Sequence, residues 1–239
     1  KSNQKNLGTI ESSNLCLEIV EYSSKDEIAC CNLASINLRR MAKRGRSETL
    51  EDLVEMYDFK LLGHTIRSVV ENLNRVIDIN WYPLDNRDEN GVTVSLGPEH
   101  ISNLKHRPMG IGVSGFAEAL YKMDMHFLHS NTRVLNKMIF ACMYFNAMAQ
   151  SIQLAINEGS YETFSGSPLS QHKLQFDLWR EEFLELQKHN LCPNPLRKYE
   201  DDDPIHPSTW NQSSIDLYQN GEICDTIQPT WEDLKRCLK

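Results

Sequence analysis

No stretch of the sequence approaches the ~18 consecutive apolar residues that a membrane-spanning helix needs. The opening KSNQKNLG holds nothing like the apolar core of a signal peptide. Neither a membrane protein nor a secreted one is expected. Internal repeats are absent, which excludes a solenoid or a propeller. The seven cysteines, at positions 16, 30, 31, 142, 192, 224 and 237, have neither the paired CxxC spacing of a zinc site nor the look of a disulfide framework. Reduced thiols in a reducing compartment, the cytoplasm, are the expectation. Their odd number leaves room for a reactive thiol, or for a partner cysteine outside this sequence. The eight histidines form no HExxH pair, and His126 with His129 is an isolated couple, so no metal site is expected. A net charge of −8 disfavours broad binding to a nucleic-acid backbone. The 239 residues are 40% hydrophobic and 24% charged, which suits one large globular domain or two small ones. The chain starts at Lys1 rather than Met, and is expected to be the interior of a longer one.

Residues 7 to 38 read as short extended pieces, with Ile28-Ala29-Cys30-Cys31 as a short buried strand. Arg39 to Arg46 holds five basic residues in eight and is expected to be a solvated loop at a helix entrance. Ser47 is a candidate N-cap for Leu50, Leu53, Val54, Tyr57 and Leu61 at helical spacing, continued by Val69, Val70, Leu73, Val76 and Ile77. One long helix, or two broken near Gly63, accounts for residues 49 to 80. Residues 109 to 123 read as a Gly-rich turn entering a short helix. Residues 131 to 158 are apolar nearly all round, as in a helix buried between neighbours, with Gly159 at its end. From 180 to 228 acidic and basic residues become dense, Glu200-Asp203 is an acidic run and prolines recur. This reads as an insertion or irregular excursion. Thr230, with Asp233 three residues on, caps a final helix.

Asn14, Cys16 and Glu18 alternate with Leu15, Leu17 and Ile19. If the segment is extended, an amide, a thiol and a carboxylate share one face over roughly 7 Å. A carboxylate within hydrogen-bond reach of a hydroxyl serves as a base. An amide has the donors and the acceptor to orient two vicinal hydroxyls. The same pattern also suits a half-buried edge strand with a structural cysteine.

The wider segment Asn6-Leu7-Gly8-Thr9-Ile10-Glu11-Ser12-Ser13-Asn14-Leu15-Cys16-Leu17-Glu18-Ile19 is followed in order by Glu27-Ile28-Ala29-Cys30-Cys31-Asn32-Leu33-Ala34-Ser35-Ile36. Next come Asn72-Leu73-Asn74-Arg75-Val76-Ile77-Asp78, Arg107-Pro108-Met109-Gly110-Ile111-Gly112-Val113, Tyr161-Glu162-Thr163-Phe164, Gly166-Ser167-Pro168 and Gln175-Phe176-Asp177-Leu178-Trp179. This series resembles the large, catalytic chain of class I ribonucleotide reductases. It covers residues 6 to 38, about 66 to 83 and 105 to 179, with a return at 229 to 238.

The resemblance implies an α/β fold, part of a ten-stranded α/β barrel whose central loop carries the reactive cysteine. Residues 1–179 would be partial barrel, 180–228 an excursion and 229–239 a helix returning to it. It implies reduction of ribonucleotides, as diphosphates, to deoxyribonucleotides. Cys16 matches the transient thiyl radical, Glu18 the carboxylate that accepts the 3′-hydroxyl proton, and Asn14 the amide that hydrogen-bonds the substrate hydroxyls. Leu15 is counted with Asn14, Cys16 and Glu18 among the substrate-binding residues. Cys31 matches one of two cysteines that supply electrons and end as a disulfide, with its partner outside this sequence. Thiols that join must bring their Cα atoms within ~7 Å. The complete enzyme would need a diiron radical-generating small subunit, nucleotide effectors such as ATP, and a thioredoxin or glutaredoxin reductant. The large chain would form a homo-oligomer, and this segment alone would be inactive.

Leu17 departs from the family, where threonine is common, and a packing change is expected there. The Cys30-Cys31 doublet also suits a glycyl-radical enzyme, and a barrel homologue acting as a binding or scaffolding protein is a further alternative. Gly110-Ile-Gly-Val-Ser-Gly115 fits GxGxxG as written, but lacks the preceding strand and βαβ context of a dinucleotide site. Close packing at a Gly-rich helix start is expected instead.

Overall fold

The structure, a computed structural model, describes residues 2–14, 19–47, 49–189, 217–219, 222–224 and 230–238. The first strand, β1 (Asn32–Asn37), begins only after Cys31. The run Ile28–Cys31 is not a strand, and Ile28 is exposed. β1 later pairs in parallel with residues that start at Met109, in register Asn32↔Met109 to Asn37↔Ser114. One step earlier the ladder would meet Pro108, which has no N–H to give. The basic run that follows is solvent-exposed at Arg39, Arg40, Lys43, Arg44 and Arg46, as a loop at a helix entrance should be.

Thr49, not Ser47, caps α1 (Leu50–Met56). Thr49 has Asp52 three residues on and forms a reciprocal capping box with it, whereas Ser47 has Leu50 there and is buried. The helix breaks at Tyr57 and Asp58 rather than near Gly63. Tyr57 is extended and bridged to Ala42, and Asp58 caps the new helix α2 (Phe59–Ile79) by accepting from Leu61 N at 2.9 Å. The restart resets the buried face to Leu62, Ile66, Val70, Leu73 and Ile77, and leaves Leu61 and Val76 exposed.

A short antiparallel hairpin of β2 (Asn86–Arg87) and β3 (Thr93–Ser95) leads to α3 (Pro98–His106). Then come β4 (Met109–Ser114), α4 (Phe116–Lys122), α5 (Ser130–Glu158), α6 (Gln175–Lys188), the hairpin of β5 (Leu217–Gln219) with β6 (Glu222–Cys224), and α7 (Trp231–Cys237). The Gly-rich stretch 110–115 is therefore not a turn: most of it is strand β4 itself, and only Gly115, at φ +72°, turns the chain into α4. Residues 180–188 are helical. α7 carries the expected Thr230–Asp233 box. The acidic run at 200–203 lies outside the described residues.

α5 is long and apolar enough to span a membrane by composition. Here it is the core helix, with Leu135, Ile139, Cys142, Phe145 and Ile152 buried among residues of α2, α4 and α7. Trp231 of α7 packs edge-on against Phe145, ring centroids 5.1 Å apart. α2 and α5 approach closely at Gly63, where an added Cβ would lie 2.9 Å from Asn146 Nδ2. Asn146 cannot swing away freely. It is buried, donates to the Cys142 carbonyl at 2.9 Å and accepts from Arg67 Nε at 3.1 Å.

Two ionic clamps hold the strand pair and the segment before it. Arg107, at φ +46°, ends α3 in the left-handed region. Its guanidinium makes a bidentate pair with Asp78 (2.8 and 2.9 Å) and bonds both the side chain and carbonyl of Asn74 (2.8 and 2.7 Å). This ties α2 to the start of β4. Glu27 joins Lys105 Nζ at 2.6 Å and His106 Nε2 at 2.7 Å, and His106 Nδ1 meets Thr163 Oγ1 at 2.9 Å. Burial alone would raise the Glu27 carboxyl. The hydrogen bonds and charges of Lys105 and His106 outweigh that and hold it below the usual value.

Gly63→Ala is expected to destabilise the protein by about 1–3 kcal/mol by overpacking, although the same change in an open helix would stabilise by about 1 kcal/mol. Denaturant unfolding reads the sign directly. For Glu27 the folded-state pKa is lowered, so its stabilisation is present above the unfolded-state value near 4.3 and fades as pH falls through the folded value. The stability gap between the parent and Glu27→Gln is expected to be about 1–3 kcal/mol near neutrality and to close in acid. Urea titrations across that range check it.

Candidate functional site

The β1–β4 pairing sets the surroundings of Cys31. In register, Leu33 lies opposite Gly110. A Cβ at Gly110 would lie 2.6 Å from Leu33 Cδ2 and 3.2 Å from both Cys31 Sγ and Ile19 Cδ1. Three side chains thus converge on a strand position without a side chain, and Gly110 is what lets Cys31, Ile19 and Leu33 all approach it. Asn32, next along the chain, is buried, and its Nδ2 donates to the Pro108 carbonyl at 3.0 Å and to Asn103 Oδ1 at 3.3 Å. Asn103 donates in turn to the Tyr82 hydroxyl at 2.8 Å, which donates to the Ile77 carbonyl at 2.7 Å. This buried polar chain leads from β1 through α3 to the end of α2, and its satisfied members fix where Cys31 stands.

The Cys31 thiol donates to the Asn32 carbonyl at 3.9 Å, and it also bears on the ionisation of the Glu21 carboxyl. Burial pushes the Glu21 carboxyl up, and the contact with Cys31 offsets only part of that. Cys30 is also half-buried. Burial, then the negative charges of Glu21 and Glu99, push its thiol up, so it stays protonated. Cys30 and Cys31 are both free thiols, not a vicinal disulfide. Glu99 is buried, with Oε1 accepting from Leu84 N at 2.8 Å and Oε2 without a hydrogen-bond partner among the described residues.

Asn14 is exposed, and it bonds Ile19 twice: its Oδ1 accepts from Ile19 N at 3.0 Å, and its N donates to the Ile19 carbonyl at 3.4 Å. These bonds join the two ends of the candidate segment; the expectation of an extended run from 13 to 19 falls mainly on residues that lie outside the described ones. Cys16, Glu18, Leu15 and Leu17 lie outside the described residues.

A cleft of about 400 Å³ opens between residues 8–12 and 21–25, and Glu21 lines it. The Tyr22 ring crosses Gly8, where an added Cβ would lie 2.7 Å from Tyr22 Cε2, and Tyr22 N donates to Gln4 Oε1 at 2.8 Å. A hollow of about 460 Å³ between residues 2–5 and α6 contains none of the cysteines. Among the described residues no group of three or more His, Cys, Asp or Glu is arranged to hold a metal ion. The sequence reading picked out Cys31 but missed Glu21 and Gly110 as its neighbours. The signal for Glu21 was a carboxylate three residues beyond Glu18. Gly110 stood out only as part of a Gly-rich run, since its role beside Cys31 arises from a strand over seventy residues away.

Comparison with known proteins bears on this arrangement. Residues 1–237 match the family model described as ribonucleotide reductase, barrel domain. The chain is 48% identical over 182 residues to the ribonucleoside-diphosphate reductase large subunit of Trypanosoma brucei brucei, covering 76% of this chain and 19% of that one. It is 43% identical over 199 residues to the corresponding large chain of Neurospora crassa (83% of this chain, 19% of that one) and 42% identical over 179 residues to the large subunit of Caenorhabditis elegans (75% and 20%). The chain thus spans about a fifth of the length of these curated relatives. The family match across nearly all 239 residues, with the Cys31 thiol beside a parallel strand pair, places this chain in the ribonucleotide reductase barrel-domain family.

Proposed function

We propose that this segment is part of the catalytic barrel of a large chain that reduces ribonucleoside diphosphates to deoxyribonucleotides through a thiyl radical. Cys16 would take the hydrogen from the ribose 3′ carbon, Glu18 would accept the 3′-hydroxyl proton and Asn14 would orient the hydroxyls, with Leu15 beside them. Cys31 would supply an electron and end in a disulfide with a cysteine elsewhere in the protein. The observation that carries this reading is that Ile19 and Cys31 both approach the same strand position, Gly110. Ile19 ends the segment that bears Asn14, Cys16 and Glu18, and Cys31 is the proposed reductant. A two-electron reduction needs the thiols close to the substrate loop, and a closed site protects a radical from water and oxidants.

The parallel pair β1–β4 fits two adjacent strands of a ten-stranded α/β barrel around a central cysteine loop. On this reading residues 1–179 belong to the barrel, 180–228 form an excursion that begins within α6, and 229–239 return to the core. The whole enzyme would work in the cytoplasm as a large-chain oligomer. It would use a diiron radical-generating small subunit, nucleotide effectors and a thioredoxin-type or glutaredoxin-type reductant.

Two substitutions in the full-length protein test the assignment. Cys16→Ser is nearly isosteric and is expected to abolish deoxynucleotide formation with an unchanged unfolding midpoint. Turnover that survives it would remove Cys16 from the mechanism. Cys31→Ser is expected to stop sustained dithiol-driven turnover, read as product per active site over time. Undiminished steady-state product would show that Cys31 is not the redox thiol.

A further inference from the structure

Strand β4 carries two glycines on one face, Gly110 and Gly112, and neither has a positive φ. Other residues could adopt the same backbone, so what a glycine supplies here is space for a close approach. At Gly112 the space is idle: an added Cβ would meet only the Ala34 carbonyl oxygen, 3.9 Å away. At Gly110 it is used, by Leu33, Cys31 and Ile19. These neighbours differ in how they can yield. Leu33 is 57% exposed, and it meets the position with the end of a flexible side chain that can swing into solvent. Ile19 meets it with a terminal methyl. Cys31 has a single rotatable bond before its sulfur, and its backbone is held. The next residue, Asn32, is buried, starts the ladder opposite Met109, and donates to the Pro108 carbonyl at 3.0 Å and to Asn103 Oδ1 at 3.3 Å. The Cys31 sulfur can therefore yield only by turning about its own Cα–Cβ bond.

We infer that Gly110 is the positioning residue for the redox thiol: its missing side chain holds open the place that Cys31 Sγ takes, and so sets the direction from which that sulfur reaches its partner cysteine. The inference rests on the reading of Cys31 as a redox thiol and adds what aims it.

Direction matters because a disulfide tolerates little error. Its Cβ–S–S–Cβ dihedral lies near ±90° and its Cβ atoms stand about 3.5–4.5 Å apart. A change of one staggered well swings the Cys31 sulfur through about 120° and takes it out of that geometry, even where both Cα atoms stay in place. In the reduction, both S–H bonds of the cysteine pair break and one sulfur–sulfur bond forms. One hydrogen ends on the ribose carbon, and the other leaves with the hydroxyl as water. The substrate gains the two electrons that the thiols lose. With the sulfur turned aside the disulfide does not close and this exchange stalls, while the strand pair stays intact, since alanine donates and accepts along the ladder as glycine does.

The experiment uses the full-length protein with its radical-generating subunit, fully reduced and then freed of reductant. It measures deoxynucleotide formed per active site in a single turnover, and the unfolding midpoint of each variant. Gly110→Ala is expected to slow the turnover by about tenfold or more with the midpoint little changed, because the exposed Leu33 gives way. Gly112→Ala, in open space on the same strand, is expected to match the parent. Gly110→Ala combined with Leu33→Ala relieves the tightest contact but leaves the Cβ against the sulfur, and is expected to stay slow. An unchanged rate in Gly110→Ala would overturn the inference. So would recovery in the combined variant, which would show packing against Leu33 instead, and so would unfolding of both variants, which would assign Gly110 to the fold alone. Alkylation with iodoacetamide and peptide mapping after the turnover locate the step. Cys31 is expected in a disulfide in the parent and as a free thiol in Gly110→Ala, and equal disulfide in both would overturn the inference. A parent disulfide that does not include Cys31 would overturn the assignment of Cys31 itself, whatever Gly110 does.

Discussion

Six residues of parallel strand pairing govern this structure. Parallel neighbours cannot be joined by a tight turn, so the chain between Asn37 and Met109 has to travel out and return. α1, α2, the small hairpin and α3 make that crossover. The register is fixed at its start by Pro108, which stops the ladder, and by Arg107, which locks the start of β4 onto Asn74 and Asp78 of α2. A slip of one residue would turn Gly110 away and drive a side chain into Leu33, Ile19 and Cys31. The position of the thiol thus follows from packing at a distance, through α2 against α5.

The carboxylates around this pair show how environment divides one residue type into separate tasks. Glu27, with Lys105 and His106 against it, stays ionised and works as an anchor for the segment that leads to Cys31. Glu21 has burial with no cation paired to it among the described residues, and leans the other way. Glu99 places a further buried carboxyl near Cys30 and helps to keep that thiol protonated. Cys30 and Cys31 are adjacent in sequence but meet different surroundings: the second lies over the open position of Gly110, and acidic charge bears on the first.

Several elements could be read directly from the order of residues. The buried helix at 130–158, ended by Gly159, and the final helix capped by Thr230 and Asp233 declare themselves because periodicity and caps are local signals. The solvated basic loop at 39–46 did so too. Local signals misled where a long-range partner decided the outcome. Ile28–Cys31 has the composition of a strand but no partner able to donate at Pro108. The stretch 110–115 has the composition of a turn, yet β1 lies ready to pair with it. Gly63 resembles a helix break, but its missing side chain serves the contact with Asn146, and the true break lies at Tyr57–Asp58, where a cap and a bridge to Ala42 stop the first helix.

The candidate site divides the same way. Family membership, and with it the proposed roles of Asn14, Cys16, Glu18 and Cys31, were legible in the sequence, because runs of residue types in a fixed order record the chemistry a site needs. The neighbours of Cys31 were not. Which carboxyl bears on the thiol, which glycine makes room for it and which carboxyl is locked to cations depend on residues some ten to eighty positions apart. Only the tertiary structure decides that, because burial and charge pairing are properties of what the folded chain brings together.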